Sequence, residues 1–241
     1  MQLLNKDIIA FKLWGDYAHY SHPATNYSSL TYPCPPKTTI IGFIGAMIGL
    51  DDYQELVSMR YSLSIEKTLI KKEYQFNGIQ KALSSSLKLK SGYQDSSAKK
   101  QFKRELIIAP EYTVYLDLAN ISKDIVSKIK TYLLGHKAVY PLYMGINQFG
   151  ADFENIEITQ VEKVKEKETS IQTLVPLDDF IFNPKVVSKI TNCRFATNIN
   201  VKNRTFSEFK DFIVEISGKK EIYVNNNGNI YKINNQVVCF V

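Results

Sequence analysis

The chain holds three histidines, and two of them, His19 and His22, stand three residues apart in a loop rich in Tyr, Ser and Pro. Imidazole titrates nearest neutrality of all side chains, so such a pair suits either proton transfer or metal ligation. A zinc-type site needs three or four ligands, and the flanking sequence supplies no third. The remaining histidine is followed by a cation, His136-Lys137. Metal-independent RNA cleavage would fit His22 or His136 acting with the phenol of Tyr20, Tyr32 or Tyr93. After a helix, however, a His-Lys pair more commonly answers the dipole as a C-terminal cap. Spacing assembles no nucleophile, base and orienting group, and no pair of carboxylates is set out for metal-dependent hydrolysis. The expectation is a binding protein with no catalytic residue, no metal and no cofactor.

The chemistry the residues favour is recognition of a polyanion. Pro35-Pro36-Lys37-Thr38-Thr39-Ile40 places a lysine and two hydroxyls at the start of a helix, where free backbone N–H groups point outward. These are the parts of a phosphate cradle, or simply of a cap. The G-x-x-x-x-G-K-[ST] pattern of a nucleotide-binding loop is missing, which argues against ATP. A second group lies in Lys88, Lys90, Lys99, Lys100, Lys103 and Arg104, interleaved with Tyr93 and Phe102. Cations beside rings that can stack on bases are how single-stranded nucleic acid is held. The net charge is +6, yet between Arg60 and Arg104 eleven bases face three acids, a local +8 that leaves the rest of the chain at −2. A polyanion site needs such a local field.

These groups must be carried by regular elements. Ile8–Trp14 reads as a buried strand. Lys37 to Leu50 reads as a helix whose Gly42, Gly45 and Gly49 form a face lying tight on a sheet, since glycine is otherwise a poor helix former. Tyr61 to Phe76 alternates as a strand or long ribbon, and residues 77–101 then collapse into Ser, Lys and Gly, long for a plain connection. Glu105 to Leu118 resumes as strand around Pro110, and Ser122 to Leu134 is a helix ended by Gly135. Phe153 to Val161 alternates again. The order is that of an α+β, ferredoxin-like (RRM-like) β-α-β-β-α-β domain over residues 1–161, with a basic insertion at about 77–104 between its second and third strands. The third strand, Ile107-Ile108-Ala109-Pro110-Glu111-Tyr112, lacks the aromatic signature of RNA-reading sheets, so loops rather than the sheet face are expected to grip RNA.

The charged run Glu162 to Glu168 reads as a junction. Residues 162–241 form a small β-rich domain of short runs between Asn and Gly clusters, with Asn227-Gly228 as a hairpin signal and Phe180, Phe182 and Phe195 mostly in its core. The first apolar run contains Lys6 and Asp7 and does not read as a leader. The longest apolar stretch, Ile40 to Leu50, is about half of the roughly 20 residues a membrane span needs. Three widely spaced cysteines disfavour a disulfide framework. A cytoplasmic protein is expected.

The run Thr31-Tyr32-Pro33-Cys34-Pro35-Pro36-Lys37-Thr38-Thr39-Ile40-Ile41-Gly42-Phe43-Ile44-Gly45-Ala46-Met47-Ile48-Gly49-Leu50 resembles the N-terminal signature of the fifth Cas family, the CRISPR-associated RAMP proteins of type I surveillance complexes. Lys103-Arg104-Glu105-Leu106, Pro110-Glu111-Tyr112 and Tyr140-Pro141-Leu142-Tyr143-Met144-Gly145 agree, so the resemblance covers residues 1 to about 160. It implies a ferredoxin-like domain whose inserted basic β-hairpin is a thumb. It also implies a subunit of Cascade, the type I complex, that caps the 5′ handle of the guide crRNA and joins the large subunit to the repeated backbone subunit in antiviral defence. Target DNA near its PAM-proximal end is a further contact in that setting. Carried over, Lys37, Thr38 and Thr39 lie near the handle, and Lys88, Lys90, Lys99, Lys100, Lys103 and Arg104 belong to the thumb. A type I-C branch of the family looks to cleave repeat RNA with a tyrosine, lysine and histidine. No histidine occurs in this insertion, which favours a non-catalytic subunit of a type I-B or related complex.

Overall fold

The computed structural model describes residues 7–23, 25, 28–79, 99–183, 189–218 and 221–241. The first part of the chain runs β1 (Ile8–Trp14), β2 (Tyr17–Ala18), β3 (Ser28–Ser29), α1 (Lys37–Ile48), β4 (Arg60–Ile65), β5 (Lys71–Ile79), β6 (Lys99–Ile108), β7 (Glu111–Asp117), α2 (Lys123–Leu134) and β8 (Asp152–Ile156). The remainder is β9 (Val161–Lys163), β10 (Glu168–Ile171), β11 (Val175–Pro176), β12 (Phe180–Ile181), β13 (Ile190–Asn200), β14 (Thr205–Glu215), β15 (Ile222–Asn225), β16 (Ile230–Ile233) and β17 (Gln236–Cys239). The fold is mixed α and β, mostly strands with two helices. Among the described residues no helix is long and apolar enough to cross a membrane.

The central sheet has the order β4-β7-β1-β8, every pair antiparallel. Strand alternation divides its side chains between two cores. Ile9, Phe11 and Leu13 of β1, Tyr61, Leu63 and Ile65 of β4, and Tyr112, Val114 and Leu116 of β7 meet both helices, with Ile40, Ile41, Ile44 and Met47 from α1 and Val126, Ile129 and Leu133 from α2. On the opposite face Ile8, Ala10 and Tyr115 pack under Ile233, Val238 and Phe240 of the C-terminal strands. The main core also takes in Leu174, Cys193, Phe195, Ile199, Phe212 and Val214, so both sides of residue 161 contribute to it. The edge of β4 is closed by reciprocal hydrogen bonds between Tyr61 and Val241, 3.0 and 2.9 Å, and by the Leu174 amide donating to the Leu63 carbonyl. Beside them Asp117, 1% exposed, accepts from Arg60, whose guanidinium also lies over the rings of Tyr231 and Phe240.

Several expectations need correction. The glycines of α1 do not lie on the sheet: its β-branched and methionine positions do. A Cβ on Gly42 would meet nothing within 4 Å, whereas one on Gly45 would touch the Tyr53 ring at 3.1 Å. Gly49 ends the helix at φ +69, and there a Cβ would sit 2.8 Å from Val139. The second helix ends through His136, which takes φ +48, while Gly135 stays right-handed at φ −80. Asn227-Gly228 does not join paired strands. β15 pairs with β10 and β12 and β16 with β9 and β17, because the Asn226 side chain turns the chain instead, accepting from the Gly228 amide at 2.8 Å and donating to the Val164 and Glu166 carbonyls. Phe195 is buried, but Phe182 is 75% exposed.

Candidate nucleic-acid interface

β5 and β6 pair as an antiparallel ribbon outside the central sheet, Lys71 opposite Ile107 through Ile79 opposite Lys99, and over its base β6 also bonds β2 and β3. The break falls at Ala109, φ +44, and Pro110, so that β6 and β7, adjacent in sequence, belong to different sheets. Of the rings this ribbon carries, Tyr74 is exposed and Phe76 and Phe102 are half-buried. Alternation puts Tyr74, Phe76, Phe102 and Arg104 on one face. Phe76 and Phe102 are directly opposite, with centroids 5.5 Å apart and planes within 21°, and Tyr74 continues the row 6.2 Å from Phe76. The Arg104 guanidinium sits 4.9 Å from the Phe76 centroid and donates to Gln148 at 3.0 Å, while its Nε is buried with no partner among the described residues. Tyr74 is 53% exposed. A row of rings open to solvent beside a guanidinium offers faces for base stacking and donors for phosphate.

The opposite face of the ribbon is ionic. Lys103 pairs with Glu73 at 3.0 Å, and its ammonium lowers the Glu73 carboxyl below its ordinary range. Lys71 bridges Glu105 and the Thr31 carbonyl, tying the ribbon base to the loop before α1. Lys103 and Arg104, neighbours in one basic run, therefore point to different faces. Lys99 and Lys100 lie on the first residues of β6, with side chains outside the described residues, and Lys88, Lys90 and Tyr93 lie outside them altogether.

Lys37, Thr38 and Thr39 form the first turn of α1, which no side chain caps. The Pro-rich run before it is held by phenols from the sheet: Tyr61 donates to the Pro35 carbonyl at 2.6 Å and Tyr112 to that of Pro33 at 3.2 Å. Thr38 and Thr39 stand on the ridge between two clefts. One, of about 360 Å³, runs over Gly42 between Tyr53, Tyr140 and Tyr143; the other, of about 290 Å³, faces β13 and β14. Lys37 is only 8% exposed, and burial lowers its ammonium pKa.

Gly145, which the sequence reading quoted only as part of a motif, connects these regions. It takes φ +89, and a Cβ there would lie 2.1 Å from the His19 carbonyl oxygen. Only glycine permits that approach. The His19 amide donates to Met144, and its ring bridges Glu105 of β6 and Ser29 of β3. The Glu105 carbonyl can only accept, so Nδ1 carries the proton and Nε2 accepts from the Ser29 hydroxyl. Burial holds this imidazole's pKa below its usual value. His19 is thus a pin between the ribbon and the 140s loop, and among the described residues no group of His, Cys, Asp or Glu could hold a metal. Of the phenols weighed for catalysis, Tyr93 lies outside the described residues and the other two are engaged: Tyr20 is buried against Met144, and Tyr32 donates to the Arg194 carbonyl at 2.6 Å. Burial raises the pKa of both. His136 stacks on Phe153 and meets Asp152 at 3.0 Å, whereas His22 touches the Tyr32 ring, centroids 4.6 Å apart.

Among solved structures the chain is similar to one described as a CRISPR RNA-guided surveillance complex, at 12% identity and TM-score 0.55, over 90% of this chain and 91% of that one. It also matches a CRISPR-associated protein crystal structure (9% identity, 96% and 99% covered, TM-score 0.47) and a type III-B Cmr-beta complex bound to cognate target RNA (12%, 90% and 86%, 0.48). No curated protein matches by sequence. The model of the family described as CRISPR-associated protein (Cas_Cas5) matches residues 8–171, more than half of the chain, and the protein therefore belongs to the Cas5 family of CRISPR-associated proteins.

Proposed function

We propose that this chain is a non-catalytic, cytoplasmic subunit of a type I-B or related CRISPR surveillance complex. It binds the 5′ handle of the guide RNA and bridges the large subunit and the repeated backbone subunit. The observation that carries the reading is the β5–β6 ribbon, where Tyr74, Phe76, Phe102 and Arg104 share one open face. The antiparallel order β4-β7-β1-β8 supports reading residues 1–161 as a ferredoxin-like core with the ribbon as its thumb, and residues 162–241 as an appended β-rich portion. In this reading Lys37, Thr38 and Thr39 hold the handle, and Lys88, Lys90, Lys99, Lys100, Lys103 and Arg104 hold RNA along the thumb. The test is reconstitution of the complex with Lys99, Lys100, Lys103 and Arg104 changed to Glu. Loss of guide RNA and of the backbone subunit, with an unchanged melting curve, is expected. Undiminished assembly would refute the proposal.

One observation favours a second reading, a metal-independent endoribonuclease that processes repeat RNA: the contact between His22 and Tyr32. Against it, the Tyr32 hydroxyl already donates to a carbonyl and burial raises its pKa, which suits neither acid nor base work near neutrality. Incubation of labelled repeat RNA with the protein in chelator decides between them. Intact, shifted RNA supports binding alone, and a single cut abolished by His22→Ala establishes the enzyme.

A further inference from the structure

The geometry points to a slot for one unpaired nucleobase of the bound RNA, formed between the start of α1 and the β13–β14 hairpin. The inference rests on the RNA-binding reading above and adds to it a subsite made by the C-terminal segment. The slot is the cleft of about 290 Å³, with Tyr32, Phe195, Phe206 and Phe209 as walls and the Thr38 and Thr39 positions at its edge. Small-molecule pockets span roughly 300–1,000 Å³, so this one suits a single ring system rather than a helix or a folded partner.

Three features argue for a base. First, Phe206 and Phe209 are 53% and 46% exposed, an unusual place for two phenylalanines on one strand. They are three residues apart, and on a regular strand they would face opposite sides. Glu208 between them takes φ +54, and the pairing recorded on either side, Ala196 with Phe209 and Asn198 with Ser207, is interrupted at Thr197, whose hydroxyl donates to the Glu208 carbonyl at 2.8 Å. The strand is twisted at the one residue that lets both rings line the same cleft. Backbone held in a conformation L-residues rarely adopt marks places where side-chain aim matters.

Second, the edge of the slot is polar, which suits a nucleotide rather than an apolar peptide. The ammonium of Lys37 makes no ion pair or hydrogen bond among the described residues, and the nearby charges it feels are Glu208 and Lys210 of β14. No side chain caps the first turn of α1, and Thr38 and Thr39 of that turn line the slot. A base between the rings would leave its sugar and phosphate at the slot's edge, where Ser21, Thr38 and Thr39 offer hydroxyls. Third, the slot is continuous with the proposed handle site, because Thr38, Thr39 and Gly145 line both clefts.

The experiment uses the full chain and a short single-stranded RNA carrying 2-aminopurine at one position in turn. This analogue loses its emission when stacked on an aromatic ring. Quenching at one position is expected, with Phe206→Ala/Phe209→Ala abolishing it and weakening binding roughly 5- to 150-fold, the scale of a lost base–ring stack. Phe206→Tyr/Phe209→Tyr should retain both, and the exposure of these rings leaves the melting curve unchanged. Persistent quenching and affinity in the double alanine variant would overturn the slot while leaving RNA binding intact. Binding without quenching, together with loss of another complex subunit from the double alanine variant, would make the cleft a protein-docking site and overturn it as well. If the wild-type chain binds no RNA, both the slot and the RNA-binding reading fall.

Discussion

Tyr74 and Lys103 lie on opposite faces of the same ribbon, and this gives the RNA-binding reading a quantitative test. Tyr74 is the ring of the row nearest the ribbon base, half-exposed and opposite Arg104. Tyr74→Ala removes a stacking surface without opening a core, so stability should move by less than about 0.5 kcal/mol, under about 2 °C in Tm for a chain of this size. A base–aromatic stack contributes about 1–3 kcal/mol, so affinity for single-stranded RNA should fall roughly 5- to 150-fold. Because no charge is removed, the slope of log K against log salt should not change. Lys103→Gln does the reverse. It removes a cation that RNA phosphate can recruit from Glu73, so the slope should drop by about 0.7. Tyr74→Phe separates stacking from the phenol's hydrogen bonding and should bind like wild type. Fluorescence anisotropy over a salt series reads all three variants. Equal losses for Tyr74→Ala and Lys103→Gln, or a slope change on removing the ring, would refute the assignment of stacking to one face and phosphate attraction to the other.

Arg60→Leu leaves the buried Asp117 carboxylate without its guanidinium. Breaking a buried pair costs about 3–5 kcal/mol, and the 32% exposure of the Arg60 side chain reduces this to about 2–3 kcal/mol. Thermal melting should show a drop of roughly 4–12 °C, and a shift within noise would mean that water already solvates Asp117. Gly145→Ala forces a Cβ against the His19 carbonyl at positive φ, so it should destabilise by at least about 2 kcal/mol and weaken RNA binding by displacing the pin between ribbon and loop. An unchanged melt would show that the loop yields freely. The His19 pKa is lowered on folding from 6.5, so the unfolded chain binds the proton more readily. The stability this contributes is present above 6.5 and lost as pH falls below it toward the folded value, and His19→Gln should flatten the melting profile across that window. A wild-type profile as flat as the variant's would contradict the buried, neutral imidazole.

The local elements were legible because their patterns are strong. Ile8–Trp14 is a strand and Lys123–Leu134 a helix at the expected places, whereas the ribbon begins at Lys71, inside the alternating stretch and ahead of the Ser, Lys and Gly run. What failed depended on partners distant in sequence. The glycines of α1 suggested close packing on a sheet, but periodicity does not say which of two faces meets it. Met47 and the isoleucines took that role, and Gly49 instead answers Val139, some ninety residues away. Asn227-Gly228 carries a hairpin composition, yet the Asn226 amide had carbonyls at Val164 and Glu166 to bind. In the candidate site, Arg104 was visible as a charge but Tyr74 and Phe76 were not, because they fall before the basic run and join it only through strand pairing. Phe206 and Phe209 left no motif at all. Their shared aim comes from one left-handed residue, Glu208, which composition cannot reveal.

The position of the C-terminal strands explains why recognition should move off the central sheet. In a four-stranded sheet with both helices on one face, the other face is the natural platform for RNA. Here Phe240, Val238 and Ile233 sit on Ile8, Ala10 and Tyr115, and Arg60 is stacked beneath Tyr231 and Phe240. Of the face that remains near Trp14, Lys12 and Lys67 are both spent on Glu111. Its apolar half is covered, its lysines are paired, and the half-buried Trp14 ring has the Lys12 ammonium over it. The rings and unpaired donors stand instead on the β5–β6 ribbon and at the rim of α1, bracketing the 140s loop through Arg104–Gln148 on one side and Gly145 on the other. An RNA strand held at both places would bend around that loop. Shortening the loop between Tyr143 and Gly150, which are bridged to each other, should therefore weaken binding more than alanine at either contact alone. Equal effects would mean that the two surfaces act independently.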